Sequence, residues 1–393
     1  MPGVAENKRV WSRARRFVAL FLAGLVACEI VLRLVRFIGF PGSILFYARQ
    51  DLYWKLFPRI GTVEDLATVV PGAMGPYGRM HGYVLNSRGL RTPEYAVERR
   101  PGVGRIVLLG DSFMCVPGGK DDKKHVANVL GRLLGGEVIN LGLPTAGPKF
   151  YQRMLEVEGT RLKPDCAVVF LFVGNDLTEE GEVDHLDSIP DMLTAYSYLY
   201  RMGRNLARLS AADFRYGDER MRRFHVGDPR KGGYFGGCTE CWPWFPTMTP
   251  ARFDAVQAER AVVFLSPWPD WLEEHWGPLS RTIGQMAQTC SESNISLLFV
   301  LIPDESQVEA DVRARVLRHY RGASMDWERP QKKMSELCSS LKIPVLDLLP
   351  AFRRASAGGM KVYLPRDTHW TPEAQELAGR LVAKKIRTLL RPQ

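Results

Sequence analysis

Four short segments of this chain carry side chains of the types that acyl-transfer chemistry uses. Gly110-Asp111-Ser112-Phe113 follows an apolar run and reads as a tight strand-to-helix turn that exposes the Ser112 hydroxyl. A free hydroxyl is a poor nucleophile and needs a base beside it. Asp367-Thr368-His369-Trp370, just ahead of the last helical stretch, offers an imidazole with a carboxylate two residues away. That carboxylate is placed to orient His369 and to stabilise its protonated form while the ring takes the Ser112 proton. Asn175, in Gly174-Asn175-Asp176, supplies a side-chain amide donor, and the small-residue turn from Asn140 to Gly147 is able to point backbone N–H groups at an oxyanion. Taken singly, Ser112 reads as a helix N-cap, Asn175 as a turn-stabilising residue and His369 as a cap of the last helix. Their company at successive strand ends favours the nucleophile reading of Ser112.

The elements that must hold these residues are legible as well. Residues 105–109, 137–141, 167–173, 297–302 and 343–348 are short, nearly continuous apolar runs, as expected of strands covered on both faces. Between and after them, residues 123–134, 149–162, 278–293, 306–320, 327–341 and 372–391 have amphipathic helical spacing. The last opens with Thr371-Pro372, an N-cap followed by proline at the first helical position. Strand and helix alternate, which predicts an α/β fold with a doubly wound parallel sheet and helices on both sides. Residues 41–104 read as an extended lead-in to the main domain, 105–393. The stretch 180–277 breaks the alternation and holds five of the nine tryptophans (242, 244, 268, 271 and 276), so it reads as a Trp-rich insertion over one rim of the sheet.

Four such segments in this order resemble the blocks of the SGNH (GDSL-type) hydrolases, over about residues 105–390 apart from the insertion. The resemblance implies a flavodoxin-like sheet and a triad in which Ser112 is the nucleophile, His369 the base and Asp367 its orienter. It also implies an oxyanion hole built from the backbone N–H of Ser112, the N–H of Thr145 and the amide of Asn175. Two departures stand out. The second-block glycine of the family falls on Thr145, whose β-branch restricts the turn, so Gly142 or Gly147 is an alternative donor. The usual Asp-x-x-His is here Asp-x-His followed by Trp370, similar to enzymes of exopolysaccharide O-acetylation such as those acting on alginate, although there the Asp-x-His segment precedes the serine. The segment Tyr83 to Arg91, with Asn86, Arg88 and Arg91, looks like membrane-tethered bacterial members of the family. Those three residues are expected either to approach the site or to serve as structural hydrogen-bonding groups.

Composition and charge narrow the function classes. The chain carries 53 Lys+Arg against 43 Asp+Glu, a formal net charge of +10. Residues 1–36 hold seven basic and two acidic residues, and residues 380–393 hold five basic residues and no acid. The body between them is formally neutral, which argues against a phosphate-binding face and a nucleic-acid partner. The basic run Lys8–Arg16 ahead of the apolar stretch Phe17–Cys28 predicts an N-terminal membrane anchor within residues 1–40, spanning from Phe17 to about Leu34, with the catalytic domain extracytoplasmic. A lipoprotein cleaved before Cys28, or a buried amphipathic helix, are the competing readings. Cys238 and Cys241 are a local disulfide or two unrelated thiols, and no metal and no cofactor are expected.

The resulting expectation is a membrane-tethered serine esterase that removes an acetyl or other short acyl group from a glycan or small ester. The alternatives are an O-acyltransferase of the cell-envelope polysaccharide pathway and a non-catalytic glycan-binding protein of the envelope.

Overall fold

The structure, a computed structural model, describes residues 3–35, 79–80, 83–119, 122–144, 146–178, 193, 197, 199–200 and 248–390. Five strands form its main sheet: β1 Arg105–Leu109, β2 Glu137–Asn140, β3 Cys166–Phe172, β4 Ser296–Ile302 and β5 Val345–Asp347. All neighbours pair in parallel, in the order β2-β1-β3-β4-β5, the flavodoxin-like arrangement. The described helices are α1 Gly3–Val35, α2 Val126–Leu134, α3 Pro148–Met154, α4 Pro250–Arg260, α5 Asp270–Glu292, α6 Glu305–Val308, α7 Ala310–His319, α8 Arg329–Ser340, α9 Leu349–Ala357 and α10 Pro372–Leu389.

The continuous apolar runs become strands because both faces of the sheet are covered. Val107, Leu109, Val169, Leu171, Phe299 and Leu301 pack on one side against Phe150 and Met154 of α3, Ile283 and Met286 of α5 and Met334 of α8. Ile106, Leu108, Val168, Phe170, Leu298 and Val300 pack on the other against Leu130 of α2, Phe352 of α9 and Ala378, Val382 and Ile386 of α10. With no solvent face, the sequence has no reason to alternate.

The order of strands places a switch point between β1 and β3, since the chain leaves β1 toward β2 and then returns to β3 on the other side. Ligand sites of open α/β sheets form at the carboxyl ends flanking such a point. The Ser112 and Asn175 turns emerge there.

Several elements differ from the sequence expectation. α5 begins at Asp270 and runs through Pro278 rather than starting there. Leu272 and Trp276, in the turns before the proline, pack into the core, and that burial outweighs the hydrogen bond a mid-helix proline removes. α9 was not anticipated in the sequence, because its apolar spacing spans only nine residues. Of the tryptophans assigned to the insertion, Trp268 is buried and Trp271 exposed, while Trp242 and Trp244 lie outside the described residues.

The helix α1 forms where an anchor is expected, and Phe17, Leu20, Phe21, Val26 and Ile30 are exposed along it. As a membrane span it is not shown, for no helix among the described residues is long and apolar enough to cross a membrane. The uninterrupted apolar run ends at Glu29, whose carboxylate accepts hydrogen bonds from the Ser197 hydroxyl at 3.0 Å and the Leu199 N–H at 2.9 Å.

The described part of the lead-in is fastened to the sheet by polar contacts. Arg105, fully buried at the start of β1, donates to the Val97 and Leu162 carbonyls at 2.9 Å, the Glu98 carbonyl at 3.2 Å and the Glu137 carboxylate at 2.7 Å. His125, buried at the N-cap of α2, accepts from the Ala127 N–H through Nδ1 and faces the Met114 carbonyl through Nε2 at 3.1 Å. Burial, reinforced by the Arg91 charge, pushes its pKa down from the ordinary 6.5 to about 3. The unfolded chain therefore takes up a proton on His125 below pH 6.5 that the folded protein refuses. Stability falls with acidification between these two values by about 1.4 kcal/mol per pH unit from this group. Urea unfolding at pH 6, 5 and 4 should show a shallower acid slope in His125→Asn by about that amount, and an unchanged slope would refute the assignment.

Candidate active site

Ser112 opens a single 3-10 turn, Ser112–Met114, directly after β1. Asp111 caps it, its Oδ1 accepting the Phe113 N–H at 2.9 Å. Gly110 has to lack a side chain, since a Cβ there would lie 2.7 Å from Met114 Cγ and 3.1 Å from the Phe170 carbonyl oxygen. This crowding turns the chain sharply off the strand and leaves the Ser112 hydroxyl part-exposed at the sheet's edge.

The partner groups arrive on a short hairpin-like loop ahead of α10. Tyr363 and Trp370 form an antiparallel bridge, and the Leu364 N–H donates to the His369 carbonyl at 2.8 Å. Between them Arg366 and Thr368 adopt left-handed backbone, φ +49° and +76°. For a β-branched residue that conformation is costly, and strain of this kind persists where the surrounding structure enforces it. It bends the loop tightly enough for a carboxylate to meet a ring only two residues on: His369 Nδ1 lies 2.6 Å from Asp367 Oδ1. On its other side, His369 Nε2 lies 2.8 Å from Ser112 Oγ. Only 3% of the Asp367 side chain and 14% of that of His369 are exposed, so the pair works in a low-dielectric setting where it is little screened.

Trp370, which the sequence offered only as a departure from the family spacing, fixes this loop. Its indole N–H donates to the Phe113 carbonyl at 3.1 Å, and its ring meets Phe113 and Phe170 edge-on at centroid distances of 5.4 and 6.1 Å. Phe113 in turn lies 5.0 Å from the His369 ring.

Asn175 lies in the turn after β3, beside the serine turn, its Nδ2 donating to Asp111 Oδ2 at 3.4 Å. Asp111 thus links the two segments by its two oxygens. Burial pushes its pKa up, opposed by the Phe113 N–H, the His369 charge, the Asn175 amide and the Arg260 guanidinium. In the turn after β2, Asn140 is a brace: its amide donates to the Met114 carbonyl at 2.8 Å, and its oxygen accepts the Gly142 N–H at 3.0 Å. That bond commits the Gly142 N–H internally. Thr145 lies outside the described residues, and Gly147 is the N-cap residue of α3.

Asn86, Arg88 and Arg91 are engaged structurally. Asn86 accepts from the Arg88 and Leu90 N–H groups, Arg88 pairs with Glu158 at 2.6 Å, and Arg91 binds Asp122 through two 2.9 Å hydrogen bonds. The Cys238–Cys241 pair lies outside the described residues.

Sequence patterns missed part of the surroundings. Arg260, at the end of α4, places its guanidinium 5.0 Å from the Phe172 ring centroid, and its charge opposes the burial that pushes the pKa values of Asp111 and Asp304 up. Asp304 caps α6, and a Cβ at Gly174 would lie 2.6 Å from the Phe172 ring and 2.9 Å from Asp304 Oδ2, so a side chain there would press on both. The next residue, Glu305, is buried against Gln257; burial, with the nearby Asp304, Glu309, Asp311 and Asp367, holds its pKa well above the carboxylate range. These groups lie outside the four motif segments, and only the fold brings them near Asp367, His369 and Ser112.

Comparison with known proteins agrees with the resemblance. Residues 277–393 match the family described as the SGNH hydrolase-like domain of acetyltransferase AlgX, which shows the SGNH resemblance for the part that holds Asp367 and His369. The Pseudomonas fluorescens protein "Probable alginate O-acetylase AlgJ" is 47% identical over 45 residues, 12% of this chain and 11% of that relative's length. Among solved structures, a lipase/acylhydrolase from Enterococcus faecalis is 14% identical, covering 74% of this chain and 99% of its own, with a TM-score of 0.37. A GDSL-like lipase from Bacteroides thetaiotaomicron is 9% identical, covering 73% and 89%, with a TM-score of 0.34.

The tightest backbone approach at the site yields a prediction. A Cβ on Gly142 would lie 2.4 Å from Met114 Cβ and 2.8 Å from Met114 Cγ, at the end of the serine turn. Gly142→Ala should destabilise the protein by about 1–3 kcal/mol through overpacking, read as a lowered urea midpoint. Unchanged stability would show that the two turns do not press together.

Proposed function

We propose that this protein is a serine-dependent acyl-transfer enzyme acting on an ester, an acetyl ester of a glycan or small molecule in the first place. One observation carries the reading: a continuous hydrogen-bond chain from Asp367 through His369 to Ser112, at 2.6 and 2.8 Å. With Nδ1–H donating to Asp367, Nε2 is left to accept the Ser112 proton as Oγ attacks the ester carbonyl. The Ser112 N–H and the Asn175 amide then stabilise the oxyanion, together with a backbone N–H of the turn after β2, assigned to Thr145. His369 returns the proton to the departing alcohol, and water, activated by the same ring, releases the acyl group from Ser112.

A second reading has its own support. The family match is to an acetyltransferase domain, and the P. fluorescens relative is named a probable alginate O-acetylase. In an O-acyltransferase a sugar hydroxyl replaces water as the final acceptor, and nothing in the triad would have to change. For location we retain the membrane: α1 exposes Phe17, Leu20, Phe21 and Ile30 behind Arg15 and Arg16, a pattern suited to lipid with the catalytic domain on the extracytoplasmic side.

A fluorophosphonate probe should label the protein at Ser112, and Ser112→Ala should lose the label. Turnover of an aryl acetate should fall on the order of 10³–10⁴-fold in Asp367→Asn, which presents the wrong ring tautomer to the serine. Labelling that survives Ser112→Ala overturns the assignment. Mass analysis of an acetylated donor mixed with an unacetylated oligosaccharide separates the two readings by where the acetyl group goes.

A further inference from the structure

The two turns that would supply oxyanion donors meet through one buried phenol. Tyr151, on α3, is fully buried, and its hydroxyl lies 3.1 Å from the Ala146 carbonyl and 3.1 Å from each carboxylate oxygen of Asp176. Ala146 belongs to the turn after β2, and Asp176 is the neighbour of Asn175 in the turn after β3. Asp176 also accepts the Phe172 N–H at 2.9 Å, and its own N–H donates to the Phe172 carbonyl at 3.1 Å, so its carboxylate is stapled to the end of the strand. The Tyr151 ring itself is wedged in the core beside Phe150 and Met154. A phenol has one proton to give, and here a single proton is shared among acceptors on two separate loops.

We propose that Tyr151 is a positioning residue: its hydroxyl sets the spacing between the turn at 141–147 and the turn at 173–178, and so holds the Asn175 amide and the facing backbone at the separation an oxyanion needs. The inference rests on the acyl-transfer reading above for its catalytic consequence, and on the three contacts alone for the tether. A core ring would serve packing equally well as phenylalanine. The hydroxyl is explained by the loops it joins, because a buried polar group is retained where its hydrogen bonds are made. Oxyanion stabilisation depends on donors held in advance of reaction, so a small relaxation of one loop should lower turnover and leave ground-state binding nearly intact.

The test is a double-mutant cycle on the full chain with p-nitrophenyl acetate as substrate. Tyr151→Phe should lower kcat ~10-fold with KM within about twofold, since the lost interaction acts only on the transition state. In an Asn175→Ala background the same substitution should cost less than about twofold more, because the group it positions is gone. Asp176→Asn, which keeps the shape of the site, should show the same pattern and serves if Tyr151→Phe does not fold. Hydrogen exchange read by mass spectrometry should show faster exchange in both turns of Tyr151→Phe and little change in β4. A kcat within twofold of the parent, an equal factor in both backgrounds, or unchanged exchange in the two turns overturns the proposal. If the unsubstituted protein turns over no ester, the acyl-transfer reading fails, and the exchange measurement alone decides the tether.

Discussion

The arrangement of this molecule depends on holding a hairpin-like loop from the end of the chain against a turn that lies more than 250 residues earlier. Trp370 does this. Among the described residues it is the largest fully buried side chain, edge-on to Phe113 and Phe170, and its indole N–H is satisfied by the Phe113 carbonyl. A tryptophan buried without that bond would carry the cost of an unpaired donor; with it, the residue beside His369 is fixed to the residue beside Ser112. The 2.8 Å contact between ring and hydroxyl follows from two neighbours already locked together.

Around that contact the protein uses the same device repeatedly: a polar group of one side chain joins two strand-end turns, and small residues let their backbones approach. Asp111 bridges the serine turn and Asn175, Asn140 bridges the turn after β2 and Met114, and Tyr151 bridges the turns after β2 and β3. Gly110, Gly142 and Gly174 stand where a Cβ would collide with Met114, Met114 and the Phe172 ring respectively. The site is therefore a set of loops on a rigid sheet, and the preorganisation that the proposed acyl transfer would require is spread over residues with no chemistry of their own. Beside His369 the strain sits in the loop of Arg366 and Thr368, where two left-handed residues bracket the carboxylate. A histidine two residues from its aspartate is compatible with a triad here because the surrounding contacts hold that bend.

The strands of the sheet were legible in the sequence to within a residue or two at most ends, because burial on both faces leaves a short unbroken apolar run, too short for a helix of ordinary length. The helices were legible where their apolar spacing is regular, as in α2 and α10. They were less so where packing overrides a local signal: Pro278 suggested a helix start, but Leu272 and Trp276 bury the turns before it. Ser112, Asp367, His369 and Asn175 could be picked out because each sits beside a strand end or helix start that is itself readable. Arg260 and Tyr151 could not, since nothing local marks them and their neighbours are distant in the chain.

By itself, then, the sequence determined the alternation of strands and helices, the candidate residues and the concentration of positive charge at the two ends, all of which follow from local pattern and composition. Only the tertiary structure decided which residues meet. It brought His369 to Ser112 and Asn175 to Asp111, and turned Arg88 and Arg91 aside into ion pairs with Glu158 and Asp122. It also committed the Gly142 N–H within its own turn. The physical reason is that hydrogen bonds and charge pairs act over a few ångströms of space. Which groups come that close is set by the packing of the whole sheet and its helices, and no window of sequence contains it.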